Sequence, residues 1–419
     1  MPSIPANGSK GVSAQGKFAS MAYDPVKQAG LMDQLVLWVL SLFAFLLPTD
    51  LRLAGDKSIA MRVGYACLLL GIAGVMRRRT AIVPTLGFWS LLGFVFWSTC
   101  TLGWAQYPSA AEHKVVAYWL LLAVSAIIPQ YAWSARGRAL LMDAYIWGCW
   151  LGVIGTAVNF WTGTEYSEAG PGELAGRYSF STDPNYLALA LVIGIPLAIY
   201  RGARTDNPWR RLPLLLYTPA AIAGVVLTGS RGAVIALLTA LLACAFQISW
   251  KMRGLLAGTA AIFLLAMWLG PSQISQRLST IPDELRHGSL SDRRDLWDRG
   301  LAVAREHPIE GIGAGATTGK LEIAAHNTPL ELMMEGGAVS VVLFYGAMLF
   351  GLTRLWKTDS REGAAMTALC AAWVVGSLSL SWEVNTITWF ILTMLFSAGS
   401  PRCISASSFS PEMQTAGHA

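Results

Sequence analysis

Charge is what this sequence has least of. Asp, Glu, Lys and Arg make up 13% of its 419 residues, against 54% hydrophobic. A soluble domain carries roughly twice that share of charge, so a soluble enzyme with one anchor is excluded. Mean hydropathy is +0.48, and long apolar runs recur along the whole chain, the pattern of a polytopic membrane protein. Cysteine is sparse too. Cys67, Cys100, Cys149, Cys244, Cys370 and Cys403 form no CxxC and no Cys/His pair, which excludes a disulfide framework and a structural zinc site and leaves small buried side chains. There is no DxD, no HExxH and no P-loop, so a metal, nucleotide or other cofactor has no sequence support. Residues 1–30 are polar and rich in Gly, Ser and Ala. They lack an apolar core followed by a cleavage site, and read as a cytoplasmic tail rather than a removed signal peptide.

What is present is one apolar span after another. The expected fold is an all-α integral membrane protein of about twelve transmembrane helices: 31–48, 58–76, 80–102, 112–131, 139–161, 184–201, 211–228, 231–249, 253–270, 328–352, 363–381 and 384–398. Spans one to nine occupy 31–270, a long polar loop occupies 271–327, spans ten to twelve occupy 328–398, and 399–419 forms a second tail. Arg77, Arg78, Arg79, Arg136, Arg138, Arg201, Arg204, Arg210, Arg211, Lys251, Arg253, Arg354, Lys357 and Arg361 fall in alternate connections. The positive-inside rule therefore puts both tails in the cytoplasm and the long loop outside. Within that loop 291-SDRRDLWDRGLAVAREHP-308 reads as a helix, with Ser291 at the N-cap, Pro308 as the stop, and Arg293 and Trp297 on one face.

Chemistry gathers at the outer face. Asp183 and Pro184 suit the start of span six, with Arg177 just before it. Ser230 can cap span eight, with Arg231 in its first turn. In 325-AHNTPLELMMEGGAV-339, Thr328, Pro329 and Glu331 read as a T-x-x-E capping box that starts span ten. Spans six, eight and ten all run inward, so each presents unpaired N–H groups and a positive dipole end outside. Arginine placed beside such ends points to an anion between them, and a guanidinium fork matches phosphate. An interfacial arginine is ordinarily a headgroup anchor, and a lone histidine near a helix start is ordinarily structural, so both readings stay open from spacing alone. Glu335 lies one turn inside the span, where an ionisable group needs a function or a partner, with an arginine as the first to look for.

Together these residues resemble a known family. S-R-G opens a span, a long outer loop carries R-x-x-x-W (Arg293 to Trp297), 311-GIGAG-315 follows, and then H-N with E-G-G. The order is similar to the O-antigen ligase and O-antigen polymerase family of bacterial membrane glycosyltransferases, and closest to the ligase. The resemblance implies a periplasmic active site on the bacterial inner membrane. Its donor is a polysaccharide on undecaprenyl diphosphate, its acceptor a sugar hydroxyl of lipid A–core, and its product complete lipopolysaccharide; membrane lipids are the other partners, and nucleic acid is not. Carried over by position, Arg231, Arg293 and His326 match the family's functional residues. Arg177, Arg286, Arg294, Asn327 and Glu335 are the expected substrate contacts, Arg294 being the neighbour that could stand in for Arg293. The chemistry expected is a metal-independent, inverting displacement, with His326 as base or positioner and arginines on the diphosphate. The alternatives are O-antigen polymerase, protein O-oligosaccharyltransferase, and a lipid-linked glycan flippase.

Overall fold

The computed structural model describes residues 30–52, 58–78, 80–82, 84–166, 176–245, 293–397 and 403–405, with isolated positions between. Among the described residues the regular structure is helical apart from an isolated bridge between Arg52 and Ser58 and one short antiparallel pair, β1 (Thr80–Ile82) and β2 (Cys403–Ser405). The helices are α1 (Leu31–Leu46), α2 (Ile59–Arg78), α3 (Leu86–Cys100), α4 (Pro108–Ala132), α5 (Ala135–Thr162), α6 (Pro184–Ala203), α7 (Pro208–Thr228), α8 (Arg231–Ala245), α9 (Arg293–Glu306), α10 (Ala316–Leu321), α11 (Thr328–Thr358), α12 (Ser360–Ser377) and α13 (Thr386–Phe396). A helix stands at every expected span except 253–270, which apart from isolated positions lies outside the described residues, as do Ser291, Arg286 and the first part of the long loop, up to residue 292. Seven of these helices, α2 to α7 and α11, are long and apolar enough to cross a membrane, while α1, α8 and α13 are apolar but shorter. Cys67, Cys100, Cys149, Cys244 and Cys370 are free thiols, as their spacing implied.

The bundle centres on α6, which is buried along almost its whole length. It packs against α5, α7, α8 and α12. Tyr145 and Tyr217 donate hydroxyls to the Ala190 and Leu191 carbonyls, so these aromatics satisfy their polar tips inside the core.

The two ends of the bundle differ. At one end the charges are matched in pairs. Arg138 donates to both Glu362 carboxylate oxygens at 2.7 and 2.9 Å, Arg201 to Asp143 at 2.7 and 2.8 Å, and Arg204 to Asp359 at 2.7 Å. The opposite end holds the N-termini of α6, α8 and α11.

Against that end lies a second, smaller core. Leu296, Val303 and Ala304 of α9 pack with Ile312, Ala316, Leu321, Ala325, Leu330 and Met334. Here the glycine motifs find their physical reason. Gly337 has φ +63° and ψ −164°, a non-helical break inside α11. Segment 308–313 enters the break: Ile312 and Gly313 donate N–H groups to the Met334 and Glu335 carbonyls, and Ala338 donates to the Pro308 carbonyl. A Cβ on Gly337 would collide with the Ile309 carbonyl, and one on Gly311 would lie 2.5 Å from the Glu335 carbonyl carbon. Residues 311-GIGAG-315 and 336-GG-337 are thus two halves of one backbone joint that fastens the loop to α11.

Candidate active site

Each helix start at this end is built locally and then tied to its neighbours. Asp183 is the N-cap of α6, its Oδ1 accepting from the Asn185 and Tyr186 N–H groups at 2.8 and 3.3 Å, with Pro184 following as expected. Ser230 Oγ accepts from the Ala233 N–H at 3.4 Å at the start of α8. Arg177 is 3% exposed. Its Nε donates to the Thr228 carbonyl and its Nη2 to Asn185 Oδ1, which staples the approach to α6 onto the end of α7.

The start of α11 corrects the capping-box expectation. The N-cap is Asn327, whose Oδ1 accepts from the Leu330 N–H at 3.1 Å. Thr328 instead turns to the segment between α12 and α13. Its hydroxyl donates to the Leu380 carbonyl and accepts from the Trp382 N–H, both at 2.8 Å. Glu331 is therefore released from any capping duty and is buried.

The same 378–385 segment receives the other elements. Arg293 Nη1 donates to the Ser379 carbonyl at 2.9 Å. Gly232, the residue after Arg231, is so close to Ser379 that a Cβ there would collide with the serine hydroxyl. Trp297, one turn beyond Arg293 on the same face of α9, donates its indole N–H to the Ala325 carbonyl at 3.0 Å. The R-x-x-x-W spacing thereby fixes the arginine and the backbone next to His326 as one unit. Arg294, the next residue, is exposed, whereas Arg293 is half-buried.

His326 is half-buried, and its backbone lies in the left-handed region at φ +48°. Such a conformation costs a non-glycine residue on the order of 1–3 kcal/mol, and it persists only where the surroundings impose it. Its Nδ1 is buried and has no hydrogen-bond partner among the described residues. Burial first, and then the Arg293 guanidinium, hold the imidazole below its ordinary pKa, while Glu331 and Asp183 push the other way.

One turn deeper lies a feature the sequence reading missed. Lys114 of α4 places its ammonium 3.3 Å from Glu331, 2.8 Å from Glu335 and 2.8 Å from Glu383. The partner expected for Glu335 was an arginine. The structure instead assigns it a lysine from another helix and buries it away from the mouth of the site. All four side chains are close to fully buried, Glu383 at 1%. The available signal was a lone cation one turn inside an apolar span. Glu383 and the carbonyls of 379–382 carried no motif at all.

A cavity of about 510 Å³ opens beside Asp183 and Trp382, also lined by Tyr186, Ser381, Asn385 and Arg52. Trp382 and Tyr186 stack with ring centres 5.9 Å apart and planes 17° from parallel. An apolar groove of about 250 Å³ between α1, α2, α4 and α13 shares Asp50, Val384 and Thr386 with it.

None of the curated proteins compared with this chain matches it. Residues 216–345 match the family model described as O-Antigen ligase. That segment runs from within α7 to within α11 and contains Arg231, Arg293 and His326, so over these residues the chain is similar to the O-antigen ligase family.

Proposed function

We propose that this protein transfers a polysaccharide from undecaprenyl diphosphate to a sugar hydroxyl of lipid A–core, at the periplasmic face of the inner membrane. The observation that carries this reading is a convergence. Arg293, Gly232 next to Arg231, and Thr328 next to His326 all meet segment 379–382, where three helix N-termini gather beside a cavity of about 510 Å³. Helix N-termini and guanidinium groups suit a diphosphate. Tyr186, half-buried at the cavity and backed by the fully buried Trp382, offers an aromatic surface to a sugar ring, and the adjoining groove suits a lipid chain.

In this mechanism the acceptor oxygen attacks the anomeric carbon as the bond to the diphosphate oxygen breaks. The electron pair leaves with the lipid diphosphate. Arg231 and Arg293 stabilise the charge that develops there, a task for which fixed positive groups serve without a divalent ion. His326, neutral at the working pH, takes the acceptor proton. One displacement inverts the anomeric centre. Asn327 acts by capping α11 and so holding His326, and Arg177 by fixing α6 to α7. The tails lie in the cytoplasm, and the chain crosses the membrane about twelve times, the span 253–270 included.

The test is transfer by the purified protein with a defined lipid-linked donor, offered either lipid A–core or a second lipid-linked glycan. Product on lipid A–core supports the reading; product only on the second glycan would make the protein a polymerase. His326→Ala and Arg293→Ala should abolish transfer, Arg294→Ala should not, and a chelator should leave the rate unchanged.

A further inference from the structure

The Lys114 cluster sits directly behind the start of α11. Glu331 and Glu335 are four residues apart and share one face of that helix, and both reach the same ammonium from α4. Glu383 reaches it from the segment that also seats Arg293 and Thr328. Three carboxylates around one lysine exceed what a structural ion pair needs, so their number calls for another role.

The groups facing His326 are few. Among the described residues, Arg293 of α9, Asp183 at the start of α6 and Glu331 of α11 are the charges within electrostatic reach of it. Lys114 pairs with Glu331 and also with Glu335 and Glu383, and Tyr186 lies within electrostatic reach of Glu331. Asp183 Oδ1 is already engaged as the cap of α6. Glu331 differs. One of its oxygens is held by Lys114, and the other, Oε2, is buried with no hydrogen-bond partner among the described residues, as is His326 Nδ1. A buried acceptor and a buried imidazole nitrogen without partners, in one electrostatic neighbourhood, form an incomplete network rather than a finished core.

We propose that Glu331 is a positioning residue for His326: Lys114 holds its carboxylate where it stabilises the imidazolium formed when His326 accepts the acceptor proton. This rests on the reading of His326 as base. In this scheme the carboxylate takes no proton itself. The proton remains on the imidazole until product leaves and then passes to water. The arrangement has the logic of a carboxylate behind a catalytic histidine, except that here a lysine on a third helix fixes the carboxylate.

Glu331→Gln tests it, because Lys114 keeps two carboxylate partners and the fold should hold. The expected result is a kcat lower on the order of tenfold, within the roughly 100- to 10,000-fold that general-base catalysis supplies. KM should change little, and the acid limb of the pH profile should move to lower pH. A purely structural Glu331 would alter thermal stability but leave that limb in place, and an unmoved limb in a folded variant overturns the proposal. Should Glu331→Gln not fold, Glu331→Asp keeps the charge but withdraws it by one methylene. Its limb should move part of the way, and an unmoved limb again overturns the proposal. His326→Ala separates the two readings. Transfer that survives in it defeats the base assignment, whereas loss of transfer together with an unmoved limb in the Glu331 variants defeats only this inference.

Discussion

Replacing Lys114 with methionine should cost more stability than any other single loss of charge at this end of the bundle. Methionine keeps most of the apolar stem, so packing is nearly preserved and the change isolates the ammonium. Removing one partner of a buried ion pair costs about 3–5 kcal/mol, because it strands the other charge. Here three carboxylates within 3.3 Å lose their only shared cation. The side chains of Glu331, Glu335 and Glu383 are 6%, 7% and 1% exposed, so water cannot take its place. The Arg52–Asp50 pair provides the contrast. Its side chains are 57% and 35% exposed, and its loss should cost about 0–1 kcal/mol. The pH dependence adds a second test. Burial already raises the Glu383 carboxyl to about 7, above its ordinary value of 4.5. Without Lys114 the folded state should bind protons more tightly still. A folded state that binds more protons than the unfolded chain loses stability as pH rises, so the deficit of Lys114→Met should be larger at pH 8 than at pH 5.5. Thermal unfolding of the detergent-purified protein at both pH values measures this. A melting point equal to that of Arg52→Met, or a deficit that grows as pH falls, would refute the reasoning.

Gly337→Ala should destabilise the protein by about 1–3 kcal/mol, since it forces a side chain into a left-handed backbone and against the Ile309 carbonyl; protease sensitivity of the 308–313 segment should rise with it. Asn327→Ala should cost about 1 kcal/mol through loss of the α11 cap, with a fall in transfer beyond what the lost folded fraction explains, whereas Asn327→Asp should largely restore both. The pH profile of kcat/KM should show an acid limb below the ordinary histidine value of 6.5, since burial and Arg293 favour neutral His326. Transfer is therefore full above that limb and lost as pH falls through it, and a limb above 6.5 would contradict the assignment.

The helices were legible because their signal is long and local. Low charge and recurring apolar runs place the described spans within about four residues of their observed starts, except span three, expected from residue 80, where Thr80–Ile82 form β1 and the helix starts only at Leu86. Caps at Asp183 and Ser230 were legible for the same reason, each needing only a hydroxyl or carboxylate next to its helix. The capping box failed because Thr328 had a stronger, distant partner in the Leu380 carbonyl and Trp382 N–H, and a sequence window cannot see across 50 residues. Lys114 failed likewise: its three partners lie more than 200 residues away. Arg293 and Trp297 were legible as a shared face, but what that face holds, the Ser379 and Ala325 carbonyls, is tertiary.

A chain this poor in charge distributes it in two distinct ways. At one end, Arg138, Arg201 and Arg204 each meet a carboxylate in close contact, and the pairs join α5, α6 and α12. Those charges fasten helices. At the other end polarity is layered. The outer layer is positive, made of three helix N-termini with Arg231 and Arg293 beside them, and suits the departing diphosphate. The layer one turn deeper carries more carboxylate than ammonium around Lys114, and suits a histidine that must become positive. His326 stands between the two. A positive outer layer alone would bind the diphosphate but hold the imidazole neutral and weakly basic, and the deeper carboxylates offset that effect. On the proposed function, binding the leaving group and activating the acceptor place opposite electrostatic demands on one small volume, and the depth of α11 would separate them.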